Sequence, residues 1–415
     1  MRDHGPQGYR VVFADPVAGR LWIAATVSYL GDFIGLGALL LTAYTRSGGH
    51  PLGPAAVFGV QALPAFAASA GMGPWLDRIP RRAGMLTLCL TGAAAMAVPI
   101  VFGGLWPVLA TAAVIGAVRT VFNAIRTGSI ADGVPRDIRA RLVALVSMSN
   151  QVSEVLGYLT GAGVAIAIGA GPALAADAAT FIAAAALIAG IRLPPPAQAR
   201  QRASMTTGIR TIMGDQTLSV LAPVVWIGLA LCAMPQTLAA TALSKTDRSW
   251  VPAALAAMAA GAAISAILVG RSSLGEKVRS QLRYVTGFGV MFLLTAAALK
   301  ADPLLLVAGN FAIGLFSGWT VSAQTTFIHV VPPERMAHVT GTMIGSLIVL
   351  EGTGAVIFGA IAGAFGVPAA YLAAGVLLTV AGLAGQGYVR LHPKVRDLRR
   401  APASRPSTAG AARNG

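Results

Sequence analysis

Apolar runs of roughly 20 residues or more recur along this 415-residue chain, and only short polar stretches separate them. A helix needs about 20 apolar residues to cross a hydrocarbon core of about 30 Å. The chain is 55% hydrophobic and 11% charged, which is too apolar for a soluble protein because a surface in water needs charged residues. We therefore predict an all-α membrane protein. The twelve predicted transmembrane helices are 18–43, 54–75, 83–104, 106–127, 141–168, 172–191, 217–243, 252–270, 282–299, 303–328, 338–365 and 367–389.

Basic residues are distributed unevenly between the two sides of these helices. Of the 31 lysines and arginines, Arg46, Lys245, Arg248 and Lys300 lie on one side and Arg119 lies within a span, whereas the others lie on or beside the opposite face. Positive residues stay on the cytoplasmic side, so both termini are predicted to be cytoplasmic. The net charge of +16 favours contact with anionic lipids, but short scattered loops offer no folded basic surface for nucleic acid.

A weak internal repeat relates the two halves of the chain at an offset of 197 residues. Val134–Asp137 reads Val-Pro-Arg-Asp, and Val331–Glu334 reads Val-Pro-Pro-Glu. At the same offset Glu154 falls on Glu351, with a glycine three residues later in both halves. Repeated halves with a binding site between them are common in secondary transporters. The predicted organisation is a cytoplasmic N-terminal segment at 1–17, six-helix halves at 18–192 and 217–390, a cytoplasmic linker at 193–216, and a disordered basic cytoplasmic tail at 391–415.

The sequence GPWLDRIPRR lies between the second and third predicted helices. Its spacing resembles the signature loop of the major facilitator superfamily. The matching positions are Gly73, Asp77, Arg78, Arg81 and Arg82, while Pro80 stands where that family usually has glycine. The resemblance implies two pseudo-symmetric halves of six helices, with this loop acting as a conformational gate that clamps the outward-facing state. The alternative is an ordinary positive loop on the cytoplasmic side.

Asp32 lies near the middle of the first predicted helix, with Ser28 one turn earlier on the same face. A carboxyl group there can exchange a proton as a cation approaches or leaves, whereas a fixed salt bridge is the structural alternative. The predicted cation is Arg119 in the fourth helix. Asn123 and Arg126 follow it on the same face, and Arg126 is expected to reach water at the cytoplasmic end. In proton-coupled exporters of the family this helix carries an arginine, so the resemblance supports Arg119.

Glu154 belongs to a polar stripe of Ser147, Gln151 and Tyr158 at helical spacing on the fifth helix, which predicts a wet face. Gly157 and Gly161 on that helix predict close packing against a neighbouring helix.

Glu351 has apolar surroundings, so a structural and a coupling role stay open for it. Asp177 lies near the start of the sixth helix, where we favour a structural role. The candidate proton-coupling residues are Asp32, Arg119, Glu154 and Glu351. The candidate substrate-cavity residues are Ser28, Asn123, Gln151, Tyr158, Gln236, Asn310 and Gln324.

The layout resembles bacterial facilitators that export siderophores, macrolides and other amphipathic drugs. The resemblance implies a monomeric efflux carrier in the bacterial cytoplasmic membrane that works by alternating access and proton exchange. An importer or facilitative carrier of a small metabolite shares the fold, and a non-transporting sensor or scaffold is an alternative of another class. No enzyme is expected, because no nucleophile–base pair is visible. No cofactor or metal is expected either, and Cys89 and Cys232 read as buried single residues.

Overall fold

The computed structural model describes residues 7–71, 79–191, 193, 205–243, 246–270, 278–299 and 302–392. The described residues are arranged almost entirely in helices. These are α1 (Gln7–Ala14), α2 (Pro16–Arg46), α3 (Leu52–Gly71), α4 (Arg81–Val101), α5 (Leu105–Gly133), α6 (Arg136–Ile168), α7 (Ala170–Ala189), α8 (Met205–Gly214), α9 (Gln216–Leu231), α10 (Met234–Ala242), α11 (Val251–Gly270), α12 (Val278–Ala298), α13 (Pro303–Phe316), α14 (Trp319–Val330), α15 (Pro333–Phe365) and α16 (Val367–Leu391). A short 3-10 helix, Arg248–Trp250, precedes α11.

The all-α membrane architecture predicted from the sequence is confirmed. Within the described residues, nine helical stretches are long and apolar enough to cross a membrane. Two further apolar helices, Leu52–Ala68 and Pro303–Phe316, are shorter than that criterion. The count of twelve transmembrane helices therefore stays a prediction.

The fifth and eleventh predicted spans reproduce the internal repeat most closely. Helices α6 and α15 each contain 33 residues and begin and end at positions 197 residues apart. A proline with extended backbone precedes each helix, and a glycine with positive φ follows each one, Gly169 at 94° and Gly366 at 88°. Glycine adopts this conformation without the steric cost of a side chain. The same stop and start signals therefore define equivalent helices in both halves.

A short helix and an aspartate also precede the first long helix of each half. The Asp15 carboxylate accepts the backbone N–H groups of Val17 and Ala18 at the start of α2. The Asp215 carboxylate accepts those of Thr217 and Leu218 at the start of α9. Side-chain acceptors of this kind satisfy donors that a helix start leaves unpaired. Each half thus begins with the order short helix, aspartate cap, long helix.

Two segments outside the predicted spans contain short helices. The segment 193–216, predicted to be a cytoplasmic linker, contains α8 in its second part, and this short helix packs on α15 with Gly208 and Ile212 buried. Residues 194–204 of that segment and the tail from 393 onward lie outside the described residues. The chain before the first span also contains α1, which packs on α2 and α6.

The predicted spans 217–243 and 303–328 are each interrupted. The first divides at Cys232 and Ala233 into α9 and α10, and Pro235 at the start of α10 lacks the backbone N–H that a continuous helix would use. The second divides at Ser317 and Gly318 into α13 and α14. Helices of this discontinuous kind recur at the binding sites of secondary transporters.

The two halves meet through long helix pairs. Helix α3 packs along α15, and α6 packs on α11. The α3–α15 contact runs from His50 beside Gly363 to Phe66 beside Gly345. On the predicted outer side, the guanidinium carbon of Arg248 lies 6.0 Å from the ring centre of Tyr44 in the other half. A large cluster of buried apolar side chains extends through both halves.

Candidate functional site

The site centres on Asp32 in the middle of α2. Its side chain is only 5% exposed, and its Oδ2 atom lies 3.4 Å from the Nε atom of Arg119 on α5. The guanidinium of Arg119 also lies over the ring of Phe33, 5.6 Å from the ring centre. The side chain of Arg119 keeps 28% exposure. The structure thus brings together the predicted acid and cation, and it leaves the cation partly open.

Arg126 contradicts the expectation that it reaches water. It is 7% exposed, donates a hydrogen bond to the Tyr29 hydroxyl, and lies 4.8 Å from the centre of the Tyr29 ring. Its Nε atom and the Oδ1 atom of Asp32 have no hydrogen-bond partner among the described residues. Tyr29 was not among the predicted site residues, although its position next to Ser28 and three residues before Asp32 is a usable signal.

Asp177 is a fully buried second carboxyl group close to Asp32. It lies on α7 against the face of α2 that carries Gly31 and Gly35, where an added side chain would overlap the carboxylate. The hydroxyl of Thr180 lies 3.2 Å from its Oδ1 atom, and its Oδ2 atom has no partner within the described part of the chain. Asp177 also interacts electrostatically with Asp32. Sequence reasoning placed it in a structural role only.

Glu154 and Glu351 occupy equivalent positions of α6 and α15 and are partly buried. They interact electrostatically with each other and with Arg119, although they belong to opposite halves. Neither forms a hydrogen bond or ion pair with another described residue. Arg119 thus interacts with all three candidate coupling acids.

The predicted cavity residues separate into two groups. Ser28 and Asn123 line the small pocket beside Asp32, and Tyr158 packs its ring 5.6 Å from Phe33. Gln151 is partly buried on the same helix as Glu154. The side chain of Gln324 lies outside the described residues. The predicted close packing of α6 is confirmed, because side chains at Gly157 or Gly161 would overlap Phe33 and Ile34 of α2.

Gln236 and Asn310 stabilise local structure. When its amide is oriented to satisfy both of its polar atoms, the side-chain nitrogen of Gln236 donates to the carbonyl oxygens of Cys232 at 2.8 Å and Ala233 at 3.3 Å. These carbonyls lie where α9 and α10 divide. Asn310 is 0% exposed, donates to the carbonyl of Ala254 and accepts from the Tyr371 hydroxyl. Both amides are thus engaged within the protein.

The predicted gate loop is only partly described. Gly73, Asp77 and Arg78 lie outside the described residues, and Arg81 and Arg82 begin α4. Arg81 forms a salt bridge with Asp132 near the end of α5, and Arg82 donates to the carbonyl of Ala189 at the end of α7. The sequence analysis did not single out Asp132. These bonds join the start of α4 to the ends of α5 and α7.

No cluster of three or more possible metal-ligating side chains occurs among the described residues. The site described above consists of charged and polar side chains from α2, α5, α6, α7 and α15. Its central feature is the buried charge pair of Asp32 and Arg119 within a helical bundle. Such an arrangement, between two repeated halves, is typical of a secondary transporter.

Comparison with known proteins supports this class. The profile of the Major Facilitator Superfamily matches residues 21–279. The nucleoside transporter NupG has a similar structure, with a TM-score of 0.71, 14% identity and coverage of 89% of this chain and 98% of that one. The peptide transporter POT gives a TM-score of 0.71 at 12% identity, covering 94% and 96%. A D-xylose-proton symporter gives 0.63 at 11% identity, covering 89% and 97%. No curated protein matches the chain.

The chain belongs to the Major Facilitator Superfamily. It is a multi-pass membrane transporter and not an enzyme. Because the structural neighbours share so little sequence, they establish the fold and leave the cargo open.

Proposed function

We propose that this protein is a proton-coupled efflux carrier of a small amphipathic compound, located in the bacterial cytoplasmic membrane with both termini in the cytoplasm. The observation that carries the proposal is the Asp32–Arg119 pair, with Nε and Oδ2 3.4 Å apart inside the bundle. Charged side chains at this depth are expensive and typically belong to ion pathways.

Transport is coupled to protons because a proton and Arg119 compete for the carboxylate of Asp32. An ionised Asp32 holds Arg119, and a protonated Asp32 releases it. Arg119 also interacts with Glu351 of the opposite half, so its release changes the attraction between the halves. Proton uptake from outside would thereby favour one packing of the halves, and proton loss to the cytoplasm would favour the other. The apolar walls contributed by Val118, Phe122 and Phe181 favour an amphipathic compound.

Inside-out membrane vesicles test this mechanism. A vesicle with an acidified lumen should accumulate fluorescent amphipathic dyes through the native protein, and Asp32→Asn should abolish the accumulation because asparagine cannot exchange a proton. Asp247→Asn is the matched control, since Asp247 is exposed at the start of the 3-10 helix and caps it through the backbone N–H of Ser249. That hydrogen bond holds the pKa of the Asp247 carboxyl below its usual range. Dye accumulation that is unchanged in Asp32→Asn would remove Asp32 from the coupling step.

An importer that moves a compound together with a proton is the second candidate. A specific feature favours it, namely a second arginine, Arg126, that lines the same pocket as the Asp32–Arg119 pair. Right-side-out vesicles with an acidic exterior would then accumulate the compound, and the acid-lumen vesicles would not.

A further inference from the structure

The pocket beside Asp32 contains one more fixed positive charge than the ion pair requires. Arg119 faces Oδ2 of Asp32, whereas Arg126 contacts the neutral hydroxyl and ring of Tyr29. Within the described residues, Arg126 has no acid within ion-pair distance. Arginine stays protonated in proteins, so unlike a buried carboxyl group it cannot shed its charge. A buried cation without a counter-ion is costly, and this cost requires an explanation.

The geometry around Arg126 offers hydrogen-bond donors to an incoming group. The residues that line the pocket are Ser28, Tyr29, Asp32, Val118, Arg119, Phe122, Asn123, Arg126 and Phe181. The space between them is about 10 Å³, enough for one water-sized group such as a single carboxylate oxygen. Asn123 is exposed and lies between the two arginines on the same face of α5.

The other acids near the centre do not neutralise this pocket. Asp177 is directed at Gly31 and Gly35 and contacts Thr180, and it is not among the lining residues. Glu154 and Glu351 act on Arg119 and do not line the pocket either. The unpaired Nε atom of Arg126, in a side chain that is more than nine-tenths buried, is therefore the strongest indication of a ligand.

We propose that Arg126, Asn123 and Tyr29 form a subsite for an oxyanion group of the transported compound, such as a carboxylate. The inference rests on the second candidate function proposed above, because it takes the ligand to be the compound that is carried together with a proton. Guanidinium and carboxylate groups form short, charge-assisted hydrogen bonds, often two at once. An amide and a phenol hydroxyl beside them add neutral donors.

The subsite also relates binding to protonation. The anionic group would lie beside Asp32 in the same pocket, where an ionised Asp32 repels it, so a proton on Asp32 strengthens anion binding. By linkage, a bound anion equally strengthens proton binding. A compound recognised here would move in the same direction as the proton, which is the behaviour of the second candidate function.

Binding to the purified full-length protein in lipid nanodiscs tests the subsite. The probe is salicylate, a small aromatic carboxylate, and salicylamide is its neutral counterpart. A ligand that binds only the folded protein raises the unfolding temperature in a concentration-dependent way. We expect salicylate to raise it and salicylamide to have no effect. Arg126→Gln should weaken salicylate binding about tenfold or more, and Asp32→Asn should tighten it. Arg210→Gln, at an exposed position of α8, should change nothing.

The competing outcomes are distinct. Equal effects of salicylate and salicylamide, or native affinity in folded Arg126→Gln, would overturn the proposal. If Arg126→Gln does not fold, Tyr29→Phe takes its place, because it keeps the arginine and the ring while removing one donor. Stabilisation by chloride or sulfate that salicylate cannot compete away would overturn the assignment to a transported compound. The measurement needs no proton gradient, so its failure is separate from a failure of the vesicle assay.

Discussion

Two glycines determine how closely α2 approaches the buried carboxyl group of Asp177. An added Cβ atom at Gly31 would overlap Thr180, and one at Gly35 would overlap the Asp177 carboxylate. Membrane helices use small residues in this way to bring backbones together. At the scale of single residues, the neighbourhood of Asp32 is thus shaped as much by missing side chains as by charges.

Gly35→Ala should therefore destabilise the protein, by about 1–3 kcal/mol, because the carboxyl group must move within a packed interior. Thermal unfolding in detergent measures the effect. Gly103→Ala is the matched control, since nothing lies within 4 Å of its added methyl group. Combining Gly35→Ala with Asp177→Ala should cost less than the sum of the two single changes. Additive costs would show that the two residues do not contact each other.

Single residues also show where sequence reasoning was sufficient and where it was not. The pairing of Asp32 with Arg119 was predictable, because a buried acid and a buried base in neighbouring helices need one another. The burial of Arg126 was not, since a long side chain near a helix end usually reaches water. The partner of Arg81 was missed as well, because Asp132 looks like an ordinary acid at the end of an apolar run. Depth within a bundle depends on how neighbouring helices pack, and a single sequence does not contain that information.

At the scale of helices, a polar contact joins three elements of the C-terminal half. Asn310 of α13 donates to the Ala254 carbonyl of α11 at 3.1 Å and accepts from the Tyr371 hydroxyl of α16 at 3.0 Å. Both groups are fully buried, where an unsatisfied polar atom is costly. The amide therefore fixes the relative positions of three helices.

Tyr371→Phe should lower the free energy of unfolding by about 1–3 kcal/mol, because the Asn310 side-chain oxygen loses its donor. Thermal unfolding is the measurement, and Tyr388→Phe on the exposed side of α16 is the control. Transport per folded molecule should stay at the native level. A loss of transport without a loss of stability would instead support the predicted role of Asn310 in the substrate cavity.

Helix prediction succeeded where composition and stop signals agreed. The proline before α6 and α15 and the glycine after each were visible in the sequence, and the repeat aligned the two helices. The interruptions within 217–243 and 303–328 were not predicted, because Cys232–Ala233 and Ser317–Gly318 lie inside continuous apolar runs. Hydropathy measures how well a segment suits lipid, and it does not report where its backbone bends.

At the scale of the molecule, the halves are joined by α3 against α15 and by α6 against α11. The predicted outer ends of these pairs contact each other through Gly163 and Pro252 and through His50 and Gly363. If the protein alternates its access, these contacts must separate during each cycle. A crosslink across these contacts should therefore stop the transport cycle.

A disulfide between positions 59 and 356 should lock this contact. A Cβ atom placed on Gly59 lies 3.9 Å from the Cβ atom of Val356, a distance that suits a disulfide. Gly59→Cys with Val356→Cys, in a background with serine at positions 89 and 232, should form a crosslink on mild oxidation, stop transport and recover on reduction. Gly59→Cys alone is the control. Undiminished transport by fully crosslinked protein would show that this contact does not open.

Insertions and deletions are the changes that α6 and α15 should tolerate least. A residue added to a helix turns everything beyond it by about 100°, and both helices are bounded by fixed signals at each end. One extra residue ahead of Glu154 would rotate that glutamate away from its counterpart in the other half. Natural length variation in proteins of this design should therefore collect in the loops, and the two helices should keep equal lengths.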